Sequence, residues 1–326
     1  MNRRRLLLAG LACVAGAANA QRERPYRVGI VMSTGPDNPD MRRFLQAFAT
    51  GMKEHGYSEG RDYTLALRFS AGERAKIASL ADELIAWPAD VLVANVSSTA
   101  VELKKRTATV PIIMVTAVDA VGEGLVASLA RPGGNVTGMT SFGPAMYGKL
   151  VELSRELMPR AQRIAFMVNP GHALSKSYEA VAAQSAKTLG LEMRTVPVTS
   201  AAEIADLPKR LSASRADALV IATDGVLFSL REPIMQAAAS ARMPAVALLP
   251  ELADAGAVAT YGFDIANNYR GVARYIDRIR KGAKPAELPI EQPTQFELVL
   301  NRKAARALRI AIPPALLVRA DRVIDE

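Results

Sequence analysis

The chain is predicted to be an α/β protein of two doubly wound, Rossmann-like lobes, and three observations predict it. Short β-branched runs alternate with amphipathic stretches along almost the whole sequence. The alternation occurs about four times before residue 120 and about four times after residue 160. A glycine-rich joint, Arg131-Pro132-Gly133-Gly134-Asn135-Val136-Thr137-Gly138, separates the two series. Strand–helix–strand repetition builds parallel sheets covered by helices on both faces. So many strands exceed one compact sheet at this length, which favours two lobes; a single (β/α)₈ barrel is the alternative.

In order, Tyr26 to Met32 (YRVGIVM) reads as a buried strand. A helix over 39–54 follows, with Phe44, Leu45, Phe48 and Met52 along one face. Residues 56–60 are a turn, and 63–69 alternates as a strand with Leu65, Leu67 and Phe69 on one side. Helix 73–86, strand 91–94, helix 97–107 and strand 112–115 complete the first series. The second runs helix 144–157, strand 163–168, helix 174–189, strand 191–196, helix 201–212, strand 217–222 and helix 227–241. Short strands at 244–248 and 257–261 precede a helix at 266–281 carrying Tyr269, Val272, Tyr275, Ile276 and Ile279.

The 326 residues hold 41 Lys plus Arg against 32 Asp plus Glu, a net charge of +9, and half of them are hydrophobic. That apolar content excludes a disordered chain. A single cysteine excludes a disulfide scaffold in a monomer. Residues 1–20 stand apart. Arg3, Arg4 and Arg5 precede an apolar run, Leu6 to Ala17, that ends in Ala18-Asn19-Ala20. This is the pattern of an export signal cleaved after Ala20, and the run is too short to span a bilayer. Arg3-Arg4-Arg5-Leu6-Leu7 fits the Sec or the twin-arginine route. Cys13 follows Gly10-Leu11-Ala12, a poor lipoprotein pattern. Cleavage removes three arginines and the cysteine, leaving 38 − 32 = +6 and a thiol-free chain suited to an oxidising compartment such as the periplasm.

The chemistry of the remaining residues points to binding. Two histidines, His55 and His172, and no further cysteine exclude a His/Cys metal site. The sequence carries no dinucleotide GxGxxG after the first strand, no Walker A lysine and no G-x-S-x-G elbow, so neither a cofactor nor a catalytic residue is assigned. Both histidines read as surface residues, His172 in a loop after Pro170-Gly171. Lys104-Lys105-Arg106 and Arg278, Arg280 and Lys281 read as solvated helix faces, and nucleic acid is not an expected partner.

Ligands of open parallel sheets bind outside the carboxyl ends of the strands. Those exits carry Ser33, Ser97, Ser98, Thr116 and Asp119 in the first half, and Asn169, Asp224 and Tyr261 in the second. Hydroxyls and helix N-terminal amides suit an anionic group, and Asp224 or Asp119 suits an ammonium. Phe142, Phe228 or Tyr261 could cover an apolar part. Ser97, Ser98 and Asp224 read equally well as N-caps of the helices they precede.

The stretches His55 to Tyr63 (HGYSEGRDY), Gly122 to Gly138 (GEGLVASLARPGGNVTG), Tyr261-Gly262-Phe263-Asp264, Gln292 to Leu308 (QPTQFELVLNRKAARAL) and Pro313 to Asp321 carry a resemblance. The chain resembles the periplasmic substrate-binding proteins of ABC transporters, in the branch that includes tryptophan- and tyrosine-import binding proteins. The resemblance covers essentially all of 26–326. It implies a type I periplasmic-binding fold with three crossings and a ligand cleft between the lobes. It implies a first lobe of 26–141 plus 265–293 and a second of 142–262 plus about 296–326, the tail's lobe being left open. It further implies a periplasmic, monomeric receptor that closes on a small polar ligand, an amino acid or related carboxylate, and delivers it to a membrane permease and its ATPase. The family commonly reads G-T-P where this chain has Val96-Ser97-Ser98, and S-D-P-V where it has Val118-Asp119-Ala120-Val121. Ser97 keeps the hydroxyl and Asp119 the carboxylate. A sensory module for a membrane receptor and an exported hydrolase are the alternatives.

Overall fold

The computed structural model describes residues 24–38, 40–141 and 143–325. The export segment 1–20 and Phe142 therefore lie outside the described residues. The chain runs β1 (Tyr26–Met32), α1 (Asp40–Glu54), β2 (Tyr63–Phe69), α2 (Ile77–Ala86), β3 (Val91–Ala94), α3 (Ser97–Arg106), β4 (Ile112–Ala117) and β5 (Val136–Thr140). It continues α4 (Ala145–Leu157), β6 (Arg163–Val168), α5 (Ser175–Thr188), β7 (Glu192–Pro197), α6 (Leu207–Ser214), β8 (Ala218–Ile221), α7 (Gly225–Ser229) and α8 (Arg231–Ser240). It ends β9 (Ala245–Ala247), α9 (Pro250–Asp254), β10 (Ala259–Gly262), α10 (Ile265–Arg280), β11 (Glu297–Asn301), α11 (Arg302–Ala307), α12 (Pro314–Arg319) and β12 (Arg322–Ile324).

Two sheets form, as the alternation predicts. The first has the order β2-β1-β3-β4-β5 and is wholly parallel. The second, β12-β11-β10-β9-β8-β6-β7, repeats the same winding in β7-β6-β8-β9-β10 and adds β11 antiparallel, with β12 parallel to it. The winding reverses between β1 and β3 and again between β6 and β8. These are the two switch points where a doubly wound sheet offers a crevice.

Side-chain alternation sets each lobe's layers. In β1, Val28, Ile30 and Met32 face the core that holds Phe44, Phe48 and Met52 of α1, while Val31 faces Ile77, Ala81 and Leu84 of α2. Helix α10 leaves the second sheet after β10 and packs on α1 in the first lobe, and the chain then returns to pair β11 with β10. Helices α1 and α10 approach so closely that a Cβ on Gly51 would sit 2.3 Å from the carbonyl oxygen of Arg270. The tail joins the second lobe: β12 pairs with β11, Leu316 is buried, and Arg319 Nη1 lies 2.6 Å from Glu156 of α4.

Four local departures from the sequence pattern have physical causes. Val136–Thr140 is strand β5, where the pattern shows only a glycine-rich joint. Gly138 adopts φ +122° against β4, where a Cβ would meet the Met114 carbonyl oxygen at 2.3 Å. The helix expected over 227–241 is two, α7 and α8, divided at Leu230. Pro233 has no N–H to return to Ser229, so one continuous helix cannot form there. The helix expected over 201–212 is a short 3₁₀ turn at 201–203 followed by α6, with Pro208 in its first turn. The helix expected over 73–86 likewise begins with a 3₁₀ turn at 74–76.

Candidate functional site

A cavity of ≈ 680 Å³, its mouth included, lies between the lobes at the two switch points. Its walls divide by chemistry. Thr34, Ser97, Ser98, Thr116, Thr223 and Asp224 supply polar groups, and Phe44, Phe228, Leu249, Phe263, Ile265 and Tyr269 supply apolar ones.

One asparagine fixes each switch point. In the first lobe, Asn95 Nδ2 donates to Ser33 Oγ at 2.9 Å, and the Ser33 N–H donates to Asn95 Oδ1 at 3.1 Å. The Asn95 carbonyl accepts from Thr116 Oγ1 at 2.6 Å. Three strand exits are thereby tied together. In the second lobe, Asn169 Nδ2 donates to Asp224 Oδ1 at 3.0 Å. The same Oδ1 accepts the Val226 and Leu227 N–H groups at 2.8 and 3.3 Å and so caps α7. All three bonds fall on Oδ1, which leaves Oδ2 for a further partner. The fully buried Tyr147 hydroxyl accepts the Thr223 N–H at 2.9 Å and fixes the backbone just before Asp224.

Opposite Asp224 stands the N-terminus of α3. Its N-cap is Val96, whose side chain offers no acceptor, and the first two helical residues, Ser97 and Ser98, line the cavity. Ser97 Oγ accepts the Val118 N–H at 3.1 Å. An uncapped helix start presents N–H donors and the positive end of the helix dipole, a setting for a carboxylate. The cavity thus faces an anion-binding end in one lobe with a carboxylate in the other. The remaining wall is apolar and includes four aromatic rings, those of Phe44, Phe228, Phe263 and Tyr269. Phe44 and Tyr269 stack with centroids 5.0 Å apart and planes 9° apart, and the Arg231 guanidinium lies 4.7 Å over the Phe228 ring.

Ion pairs span the lips. Arg43 of α1 reaches Glu251 of α9 and, at 2.8 Å, Asp264. Arg231 of α8 meets Asp40 at 2.5 Å with its side chain buried. Burial pushes the Glu251 carboxyl up to about 7 against the opposing pull of Arg43. Among the described residues there is no group of three His, Cys, Asp or Glu side chains placed to hold a metal ion.

Comparison with known proteins matches a family model described as ABC transporter substrate binding protein to residues 31–324. The chain belongs to that family. A tyrosine-binding protein from Clostridioides difficile (strain R20291) is 22% identical over 294 residues, covering 90% of this chain and 84% of the relative. Among solved structures, a conserved domain protein from Vibrio cholerae is 29% identical with a TM-score of 0.83, covering 91% of this chain and 99% of the other. An ABC domain in complex with L-Trp from Streptococcus pneumonia is 26% identical, also with a TM-score of 0.83, covering 92% and 100%. The two-lobed architecture is that of the type I periplasmic binding proteins.

Within this substrate-binding protein the residues expected from the sequence fall into two groups. Ser97, Ser98, Thr116 and Asp224 line the cleft together, as does Phe228. Ser33 and Asn169 stand one layer behind, their polar atoms engaged by Asn95 and Asp224. Asp119 turns away, its Oδ1 accepting the Gly122 N–H at 2.8 Å in its own loop. Tyr261 stacks on Phe296 at 5.9 Å and takes no part in the cavity wall. His172, read as an exposed loop residue, is 8% exposed and lines the cleft. Its ring is stacked on Tyr178 at 5.3 Å and covered from the other lobe, contacts that no local pattern encodes. Thr34, at the exit of the first strand, has a buried hydroxyl with no hydrogen-bond partner among the described residues, and the sequence underrates Phe44 and Tyr269, whose helical spacing marks them only as core.

Proposed function

We propose that this substrate-binding protein captures an amino acid with a large apolar side chain between its lobes, outside the cytoplasm, and presents the closed form to a membrane permease and its ATPase. The carrying observation is the pairing of the uncapped α3 N-terminus with Asp224 across one cavity whose remaining wall is apolar and rich in aromatic rings. The ligand carboxylate meets the first N–H groups and hydroxyls of α3. Its ammonium meets Asp224 Oδ2. Phe44, Phe228, Phe263 and Tyr269 enclose the side chain.

The tyrosine-binding relative and the L-Trp complex support an aromatic amino acid. A positioned set of donors and acceptors suits binding. An export signal over residues 1–20 and a three-crossing hinge suit a periplasmic receptor that closes on its ligand. In this reading the first lobe is 26–141 plus 265–293 and the second takes the remainder.

Thermal melts of the chain from Gln21 onward, recorded with each of the twenty amino acids, test the reading. A ligand at a hundred times its dissociation constant stabilises by about 2.7 kcal/mol, which a melt resolves. At least one large apolar amino acid is expected to raise the midpoint. A panel in which none does so overturns the assignment.

A further inference from the structure

Behind the polar end of the cleft, two ionisable side chains from opposite lobes face each other with no other strong partner. Glu123 lies in the loop after β4, with a side chain 1% exposed. Among the described residues neither of its carboxyl oxygens has a partner at full hydrogen-bond geometry, and the Ser97 hydroxyl acts on it only as a weak donor. His172, in the loop after β6, points Nε2 at Glu123 Oε1 from 3.7 Å, with its side chain 9% exposed. The same loop is held across the cleft by Arg74 Nη1, which donates to the Gly171 carbonyl at 2.8 Å. The second lobe thus contributes His172 to the burial of Glu123.

Geometry and burial favour one protonation state for each group. The Leu174 N–H donates to His172 Nδ1 at 3.2 Å, so that nitrogen carries no proton and the imidazole is neutral. Burial disfavours the Glu123 carboxylate more than the Ser97 hydroxyl favours it, so the neutral acid is the form that burial selects. Burial acts the same way on both groups, raising Glu123 to about 7 and lowering His172. The surrounding groups modulate this. Asp119 raises Glu123, Arg74 and the Ser97 hydroxyl oppose that, Asp224 favours charged His172, and Arg74 disfavours it. Tyr178, stacked on His172, also has a buried hydroxyl with no hydrogen-bond partner.

With the lobes apart both groups meet water and return to ordinary values, about 4.3 for Glu and about 6.5 for His. Over the interval between, the open form holds a carboxylate and an imidazolium. We propose that Glu123 and His172 act as a proton-exchanging latch, in which closing the lobes releases the imidazolium's Nδ1 proton to solvent, takes up one proton from solvent on the carboxylate, and seals a neutral pair in the cleft. The imidazolium loses its Nδ1 proton to solvent and the carboxylate gains one, so the proton count is unchanged. The pair makes capture insensitive to pH across that interval, although it buries two ionisable groups. Both are positioning residues for closure. The inference rests on the reading of the cleft as one that closes on ligand.

The sign follows for each group alone. A carboxyl whose value rises on closing favours closure as pH falls, and an imidazole whose value drops favours opening as pH falls. Each variant of the pair leaves one group unbalanced, so their pH slopes are opposite. The closed-to-open ratio is read as the distance between spin labels on Ser79→Cys and Ser177→Cys, exposed positions on opposite lobes, in the chain from Gln21. The ratio is expected to be flat in the parent from about pH 5 to about pH 6.5. In Glu123→Gln it is expected to fall by up to about tenfold per unit as pH drops below about 6.5. In His172→Asn it is expected to rise by up to about tenfold per unit as pH drops from about 7 to about 5. Slopes of the same sign in the two variants, no slope in either, or a full one-proton slope in the parent overturns the latch. The amino-acid melts fail independently. Opposite slopes with no amino acid bound leave the latch standing and remove the ligand reading. A bound amino acid without opposite slopes does the reverse.

Discussion

Asp224 carries two duties that one substitution separates. Its Oδ1 accepts Asn169 Nδ2 and the Val226 and Leu227 N–H groups, and its Oδ2 is assigned to the ligand ammonium. In Asp224→Asn the amide oxygen keeps all three bonds, and asparagine caps helices about as well as aspartate. The unliganded protein should therefore melt within the equivalent of about 0.5 kcal/mol of the parent. The amide nitrogen that replaces Oδ2 is a donor facing a donor. Losing a hydrogen bond to a charged group costs about 1.5–3 kcal/mol, so affinity should fall by roughly ten- to a hundred-fold. Asp224→Ala should lose affinity too, and in addition about 1 kcal/mol of cap. Calorimetric titration and unliganded melts of the three proteins give both quantities. Unchanged affinity in Asp224→Asn refutes the ammonium assignment. An Asp224→Asn melt as low as that of Asp224→Ala refutes the capping argument.

Three further outcomes are expected. Tyr147→Phe leaves the Thr223 N–H without its buried acceptor and should cost about 1–3 kcal/mol, read by urea denaturation, together with weaker ligand binding because Asp224 follows directly. Gly51→Ala drives a methyl group against the Arg270 carbonyl and should lower stability by about 1–3 kcal/mol by forcing α1 from α10; an unchanged melt contradicts that contact. Glu251 has a folded value raised to about 7 by burial, so its contribution falls as pH rises from about 4.5 to about 7. Glu251→Gln should consequently gain on the parent most above pH 7 and least below about pH 4.5, in melts across that range.

The strands were legible because both faces of each sheet are covered, which turns Val28 to Met32 or Ala218 to Ile221 into unbroken apolar runs. Strand β5 was hidden by Gly138, which is there to let β4 approach and has no side chain to report burial. The site was legible where strand exits meet: Ser97, Ser98, Thr116 and Asp224 follow from topology alone. Asp119 and Tyr261 sit at equivalent places in the chain, yet a turn bond claims the one and stacking the other. Phe44 and Tyr269 show the opposite limit. Each lies on an apolar helical stripe, and a stripe reads the same whether it meets other side chains or a cavity. Glu123 and His172 are far apart in sequence and belong to opposite lobes, so spacing carries no trace of the pair.

The central claim is that the cleft reads both ends of an amino acid at once. Calorimetric titration with L-tryptophan, with tryptamine and with indole-3-propionate isolates the two ends on one ring system. Loss of either charge-assisted contact is expected to cost about 1.5–3 kcal/mol, so the amine and the acid should each bind at least about tenfold more weakly than the amino acid. Equal affinity of L-tryptophan and either analogue would contradict the account.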